Sequence, residues 1–172
     1  MFFEEFSLKR EAIFSNDRSH RFLLEQSFFG GGSKGFCLFI MFNPSDADEK
    51  KDDPTWSRCW EYTQRWGYLH MKVVNMFSFV TPYPNKLEFV MNSEEDMENI
   101  LIMREQFKSA DLIICAWGSI APRHLRGWMK DRINLIQSWG KDLYCLGINK
   151  DGMPVHPLYQ PCNLNPVPWS VI

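Results

Sequence analysis

The chain has 172 residues, of which 45% are hydrophobic, 15% aromatic and 23% charged. That size suits one domain with its own core, and the apolar content excludes wholesale disorder. Nineteen basic against 21 acidic residues leave a net charge of −2, which excludes a global electrostatic attraction to nucleic acid, so any DNA contact must come from a local basic patch.

No run reaches about 18 consecutive apolar residues, so no membrane partner is expected. Glu4 and Glu5 interrupt any signal-peptide pattern, and a cytoplasmic location is expected. The five cysteines, Cys37, Cys59, Cys115, Cys145 and Cys162, form no Cys-x-x-Cys pair, as expected of reduced thiols. Cys37, Cys115 and Cys145 sit in apolar runs and read as small core residues. Neither a metal nor a cofactor is expected.

In chain order, Arg21–Phe28 and Phe36–Phe42 are rich in strand formers and are separated by Gly30-Gly31-Gly32-Ser33-Lys34-Gly35. They predict a hairpin over about 21–42. Phe36–Phe42 is apolar throughout, as a strand covered on both faces would be. It stops at Asn43-Pro44-Ser45, and an acidic loop from Asp46 to Asp53 follows. Pro54 suits the first turn of a helix running to about Trp66, with Gly67 ending it. Met71–Asn75 predicts a second buried strand. Ser93 is a good N-cap for a helix to about Lys108, with Glu94, Glu95 and Asp96 in its first turn. Asp111–Trp117 predicts a third strand, Pro122 to about Gln137 a third helix and Asp142–Leu146 a fourth strand. From about residue 153 the chain is proline-rich and reads as irregular. Strands alternating with helices predict a single three-layer α/β domain over 1–172 with a mainly parallel central sheet.

Open sheets of this kind bind ligands beyond the carboxyl ends of their strands. Those ends offer Asn43, Pro44, Ser45, Asp46, Asp48, Asp52 and Asp53; then Asn75 and Phe77; then Trp117, Gly118 and Ser119; then Lys150, His156 and Tyr159. Amides, carboxylates, aromatics and an imidazole suit a flat polar ring. Bland readings stand beside each. Asn43 before Pro44 also fits a turn, Asp53 also fits a helix cap, Trp117 also fits the core, and Asp48 also fits a solvated loop. Arg123, Arg126 and Lys130 share one helical face near Arg132, with Arg58 on another helix; this local patch could hold DNA phosphates or simply be solvated.

The set Phe39–Ser45, Asp48, Asp52–Thr55, Arg65–Tyr68, Val73–Asn75, Cys115–Gly118 and Lys150 through His156-Pro157-Leu158-Tyr159 closely resembles a small bacterial and phage domain family of unknown function. The order of motifs is also similar, more distantly, to the uracil-DNA glycosylase superfamily. That resemblance implies a glycosylase-like fold and hydrolysis of the bond between a flipped base and its sugar. Asn43 would hold the attacking water with help from Asp48 or Asp53, Asn75 would hydrogen-bond the base, and His156 would steady the departing base. Phe77 or Trp117 would stack on it, with Pro44, Ser45, Gly118, Ser119, Lys150 and Tyr159 around it and Arg58, Arg123, Arg126 and Lys130 on DNA phosphates. No acid stands at the Asn43 position itself, and Leu158-Tyr159 replaces the usual Ser-Pro after His-Pro. The phage association implies a modified base or a setting of phage–host conflict. The rival expectations are a binding module that does not cleave and an enzyme acting on free nucleotides or nucleosides.

Overall fold

The computed structural model describes residues 8–28, 35–45, 47–83, 85–87, 92–119 and 122–170. The expected turn at Gly30–Lys34 and the carboxylate of Asp46 lie outside them. The elements are β1 (Leu8–Phe14), β2 (Arg21–Phe28), β3 (Cys37–Met41), α1 (Pro54–Arg65), β4 (His70–Asn75), α2 (Glu94–Ser109), β5 (Leu112–Cys115), α3 (Arg126–Ser138), β6 (Tyr144–Cys145) and β7 (Val167–Pro168).

These strands make one sheet in the order β1-β2-β4-β3-β5-β6-β7. The inner strands β4, β3, β5 and β6 run parallel, while β1 on β2, β2 on β4 and β7 on β6 are antiparallel. The sheet is therefore mixed, which corrects the expectation of a mainly parallel one. The expected hairpin between 21–28 and 36–42 is also corrected: β2 pairs with β4, and β3 lies between β4 and β5. The physical reason is in the composition of β3. All five of its residues are buried, and an all-apolar strand gains most where neighbours cover both edges and both faces.

Alternation along β3 sorts the core into two layers. Leu38 and Ile40 pack with Met103 and Phe107 of α2 and with Met129, Ile133 and Ile136 of α3. Cys37, Phe39 and Met41 face the other way, onto Trp56, Cys59 and Tyr62 of α1. A fully buried side chain of this size contributes about 1.5–3 kcal/mol, so both helical layers are firmly held. Cys37, Cys59, Cys115 and Cys145 are buried free thiols, and burial pushes the Cys37 and Cys115 thiols well up.

Helix starts follow the sequence closely. Asp53 caps α1 by accepting from the Trp56 N–H at 2.7 Å, and Ser93 caps α2 by accepting from Asp96 N–H at 3.1 Å. The third helix begins with a single 3-10 turn at Arg123–Leu125 before α3. The fourth predicted strand shrinks to Tyr144–Cys145, and the tail adds only the short β7. Among the described residues, no helix is long and apolar enough to cross a membrane.

Candidate functional site

At the centre of the sheet, β3 is flanked by β4 on one side and β5 on the other. The chain leaves its carboxyl end in one direction to reach β4 and passes to the opposite side for β5, a switch point where a crevice opens. Backbone bonds zip the segment after β3 to its neighbours: Met76 and Phe77 N–H donate to the Met41 and Phe42 carbonyls at 2.9 and 3.0 Å, and Ala116 N–H donates to Ile40 at 2.9 Å. The loop ends are thereby fixed on rigid strands.

An inner recess of about 60 Å³ opens there, with Arg21, Asn43, Ser45, Asp53, Thr55, Asn75 and His156 as its polar lining and Met41, Trp56 and Cys59 among its apolar walls. A contiguous outer hollow of about 330 Å³ shares Asn43, Ser45 and His156 and adds Phe42, Thr81, Trp117 and Ser119. Residues from opposite ends of the chain thus meet in one cleft.

Asn43 is oriented by two carbonyls. Its Nδ2 donates to Pro44 at 3.0 Å and to Thr81 at 2.6 Å, which identifies the amino end and leaves Oδ1 as the atom it can offer. Pro44 is buried, and its carbonyl also accepts from the Thr81 N–H at 3.1 Å. Asn75, the last residue of β4, is 1% exposed, and its Nδ2 has no partner. The Nδ2 of Asn99, from α2, donates to the Asn75 and Met76 carbonyls at 3.0 and 3.3 Å, fixing the end of that strand.

His156 is half-buried, and its Nδ1 accepts from the Leu158 N–H at 3.3 Å. Burial pulls its pKa below the ordinary value, with the Asp53 charge opposing. A neutral ring with Nδ1 occupied as an acceptor carries its proton on Nε2. Gly118 makes the close approach possible: its φ is +79°, and a Cβ there would lie 3.3 Å from the His156 Cβ.

Asp53 caps α1 through Oδ1, and its Oδ2 accepts from Ser45 Oγ at 2.9 Å. The cap reading is therefore right, and the carboxylate also lines the recess. Cys59 lines it too, but burial first and the Asp53 charge second push its thiol far up, so it stays protonated.

Several expected site residues fall elsewhere. Asp48 lines neither hollow; its Oδ1 accepts from the Lys50 and Lys51 N–H groups, each at 2.8 Å. Phe77 is 1% exposed and packs edge-on to Phe42, so Phe42, on the outer hollow, takes the aromatic place expected of it. Trp117 is buried edge-on against Trp169 yet walls the outer hollow, and its Nε1 has no partner. Lys150 sits in an exposed turn, and Tyr159 is 80% exposed with its ring 6.1 Å from that of His156. Arg58 pairs with Glu61 on α1 at 3.0 Å. Arg123, Arg126 and Lys130 are exposed, whereas Arg132 leaves that group and is buried against Asp96 at 2.7 Å.

Arg21 is the site residue that sequence reasoning missed. It opens β2, whose antiparallel direction brings its first residue to the rim where the parallel strands end. The isolated pairing of His20 with Phe79 and the Arg21 N–H bond to the Ser78 carbonyl at 2.9 Å hold it there. The available signal was an arginine heading an apolar run, Arg21-Phe22-Leu23-Leu24, where a charge is rarely buried without purpose.

The fold and cleft define an α/β domain with a polar recess at the switch point of a mixed sheet. Residues 21–158 match the family described as "Protein of unknown function (DUF1643)", and the chain belongs to that family. Neither a curated protein nor a solved structure matches it.

Proposed function

We propose that this protein is a DNA glycosylase-like hydrolase that cuts the N-glycosidic bond of a flipped, modified base. The observation that carries the reading is the meeting of Asn43, Asn75 and His156 on one recess, each with the hydrogen-bonding atom the chemistry needs left available. On the scale where one water takes roughly 10–15 Å³, the recess of about 60 Å³ suits a single planar ring. The outer hollow, walled by Phe42 and Trp117, suits the sugar and the stacked neighbour of an extruded base.

The C1′–N bond breaks and its electron pair leaves on the base. Water, held by Asn43 Oδ1, forms the C1′–O bond and gives a proton to the Asp53 carboxylate. His156 Nε2–H donates to the departing base and disperses its charge, while the unpaired Asn75 Nδ2 donates to a ring carbonyl. Arg123, Arg126 and Lys130, at the start of the helix that follows the Trp117–Ser119 rim, supply the phosphate contacts. Such contacts weaken as salt rises, in proportion to the number of phosphates they neutralise.

The test is release of abasic sites from single- and double-stranded DNA carrying natural and hypermodified bases. Cleavage that falls at least about a hundredfold in His156→Ala and Asn43→Ala, the scale of one lost stabilising donor, is the expected result. A fold intact by circular dichroism with salt-sensitive DNA binding and no released base from any substrate refutes hydrolysis and leaves a binding module.

A further inference from the structure

Among the described residues, none fully answers the charge on Arg21. The side chain is 5% exposed and lines the inner recess. Its Nη1 donates to the Ala47 carbonyl, while Nε is buried without a partner. Nη2 makes no bond to any described residue. Nε and Nη2 are the parallel N–H pair on one edge of a guanidinium, the edge that takes two acceptor atoms side by side.

Among the described residues, no carboxylate lies within ion-pair distance of that edge. Asp53 shares the recess and accepts from Trp56 N–H and Ser45 Oγ–H, with no bond to Arg21. Burial draws the Arg21 pKa down to about 10, the Asp53 and Asp48 charges offsetting it only in part. A buried cation left in this state is costly unless a partner arrives. The remaining donors facing the recess, Asn75 Nδ2 and His156 Nε2, also call for acceptors.

We propose that Arg21 makes the recess a receptor for a carboxylate carried on the ligand ring, so that the preferred base is an anionic, carboxylated one. This rests on reading the recess as a base pocket and deepens it: Asn75 and His156 recognise the ring, and Arg21 reads its substituent. A neutral purine edge with two acceptors would fit the fork but would bring no charge to a buried cation.

Isothermal titration of the full chain with uracil, 5-carboxyuracil, uracil-5-carboxamide and hypoxanthine tests this without requiring turnover. The carboxylate is expected to bind about tenfold or more tighter than the other three, the scale of one charge-assisted bond. The carboxamide, which sets an N–H against the fork, loses the advantage in the wild-type protein itself. Arg21→Gln should abolish the preference, so that 5-carboxyuracil and uracil bind that variant equally. Should that variant fail to fold, the carboxylate–carboxamide comparison still decides. Equal affinity for 5-carboxyuracil and uracil, a carboxamide that binds as well, or tightest binding of hypoxanthine overturns the inference and leaves the base pocket standing. If no ring binds, both fall.

Discussion

Replacing Asp53 separates the helix cap that the structure contains from the proton-acceptor role proposed for the same carboxylate. In Asp53→Ala the Trp56 N–H loses its cap acceptor and Ser45 Oγ loses its partner. A lost N-cap costs about 1 kcal/mol, and the Ser45 bond, being exposed, adds little. For a chain of this length that is a fall in Tm of roughly 2–4 °C. Asp53→Asn keeps an oxygen on the Trp56 N–H and caps as well as aspartate, so its Tm should stay within about 1 °C of wild type by the same scaling. Its base-release rate should nevertheless fall by about a hundredfold or more, since an amide cannot take the water's proton. Calorimetric melting beside single-turnover base release reads both duties on the same samples. If Asp53→Asn melts as early as Asp53→Ala, the cap is not what Asp53 contributes. If Asp53→Asn releases base at the wild-type rate, its carboxylate is not the proton acceptor.

Gly118→Ala places a Cβ 3.3 Å from the His156 Cβ on a backbone with φ +79°; it should cost about 1–2 kcal/mol in a urea melt and lower base release by more than that loss explains, because His156 is displaced. Arg132→Met removes the guanidinium that lies over the Phe77 ring and leaves Asp96 a buried charge without its ion pair; it should cost about 3–5 kcal/mol in the same melt, most of it regained in Asp96→Leu/Arg132→Met. Burial lowers the pKa values of His20 and His156, so the unfolded chain binds more protons than the folded one in the window below the ordinary value of 6.5. Stability is then fully present above that value and falls as pH drops through it; His156→Gln should flatten the slope, and a slope unchanged in that variant would exclude His156 as a contributor.

The helices were legible because their punctuation is local. Asp53 before Pro54 and Ser93 before an acidic turn announce caps that the structure contains. The order of the strands was not legible. The short link between Phe28 and Phe36 invites a hairpin, yet strand adjacency is decided by which strand can least tolerate an edge, and that is a property of the whole sheet. β1 was missed because Lys9, Arg10 and Glu11 mask its alternation, as suits a solvated edge strand. Arg132 could not be told from Arg126 or Lys130 by spacing alone. Its burial depends on Asp96, 36 positions away along the chain.

The misplaced hairpin did little harm to the site, and the reason is geometric. Asn43, Asn75 and Trp117 each follow a strand of the inner parallel set, and parallel neighbours in register end on one side: Met41 stands opposite Asn75, and Ile40 opposite Cys115. Any order of those strands sends their last residues to the same rim. What the order does decide is where along that rim an outside element arrives. Because β2 lies against β4 rather than β3, its first residue comes up beside Asn75, and a recess that the sequence furnishes with amides and an imidazole acquires a guanidinium. The strand ends thus bring the amides to the recess, whereas its guanidinium depends on a pairing that no local pattern announces.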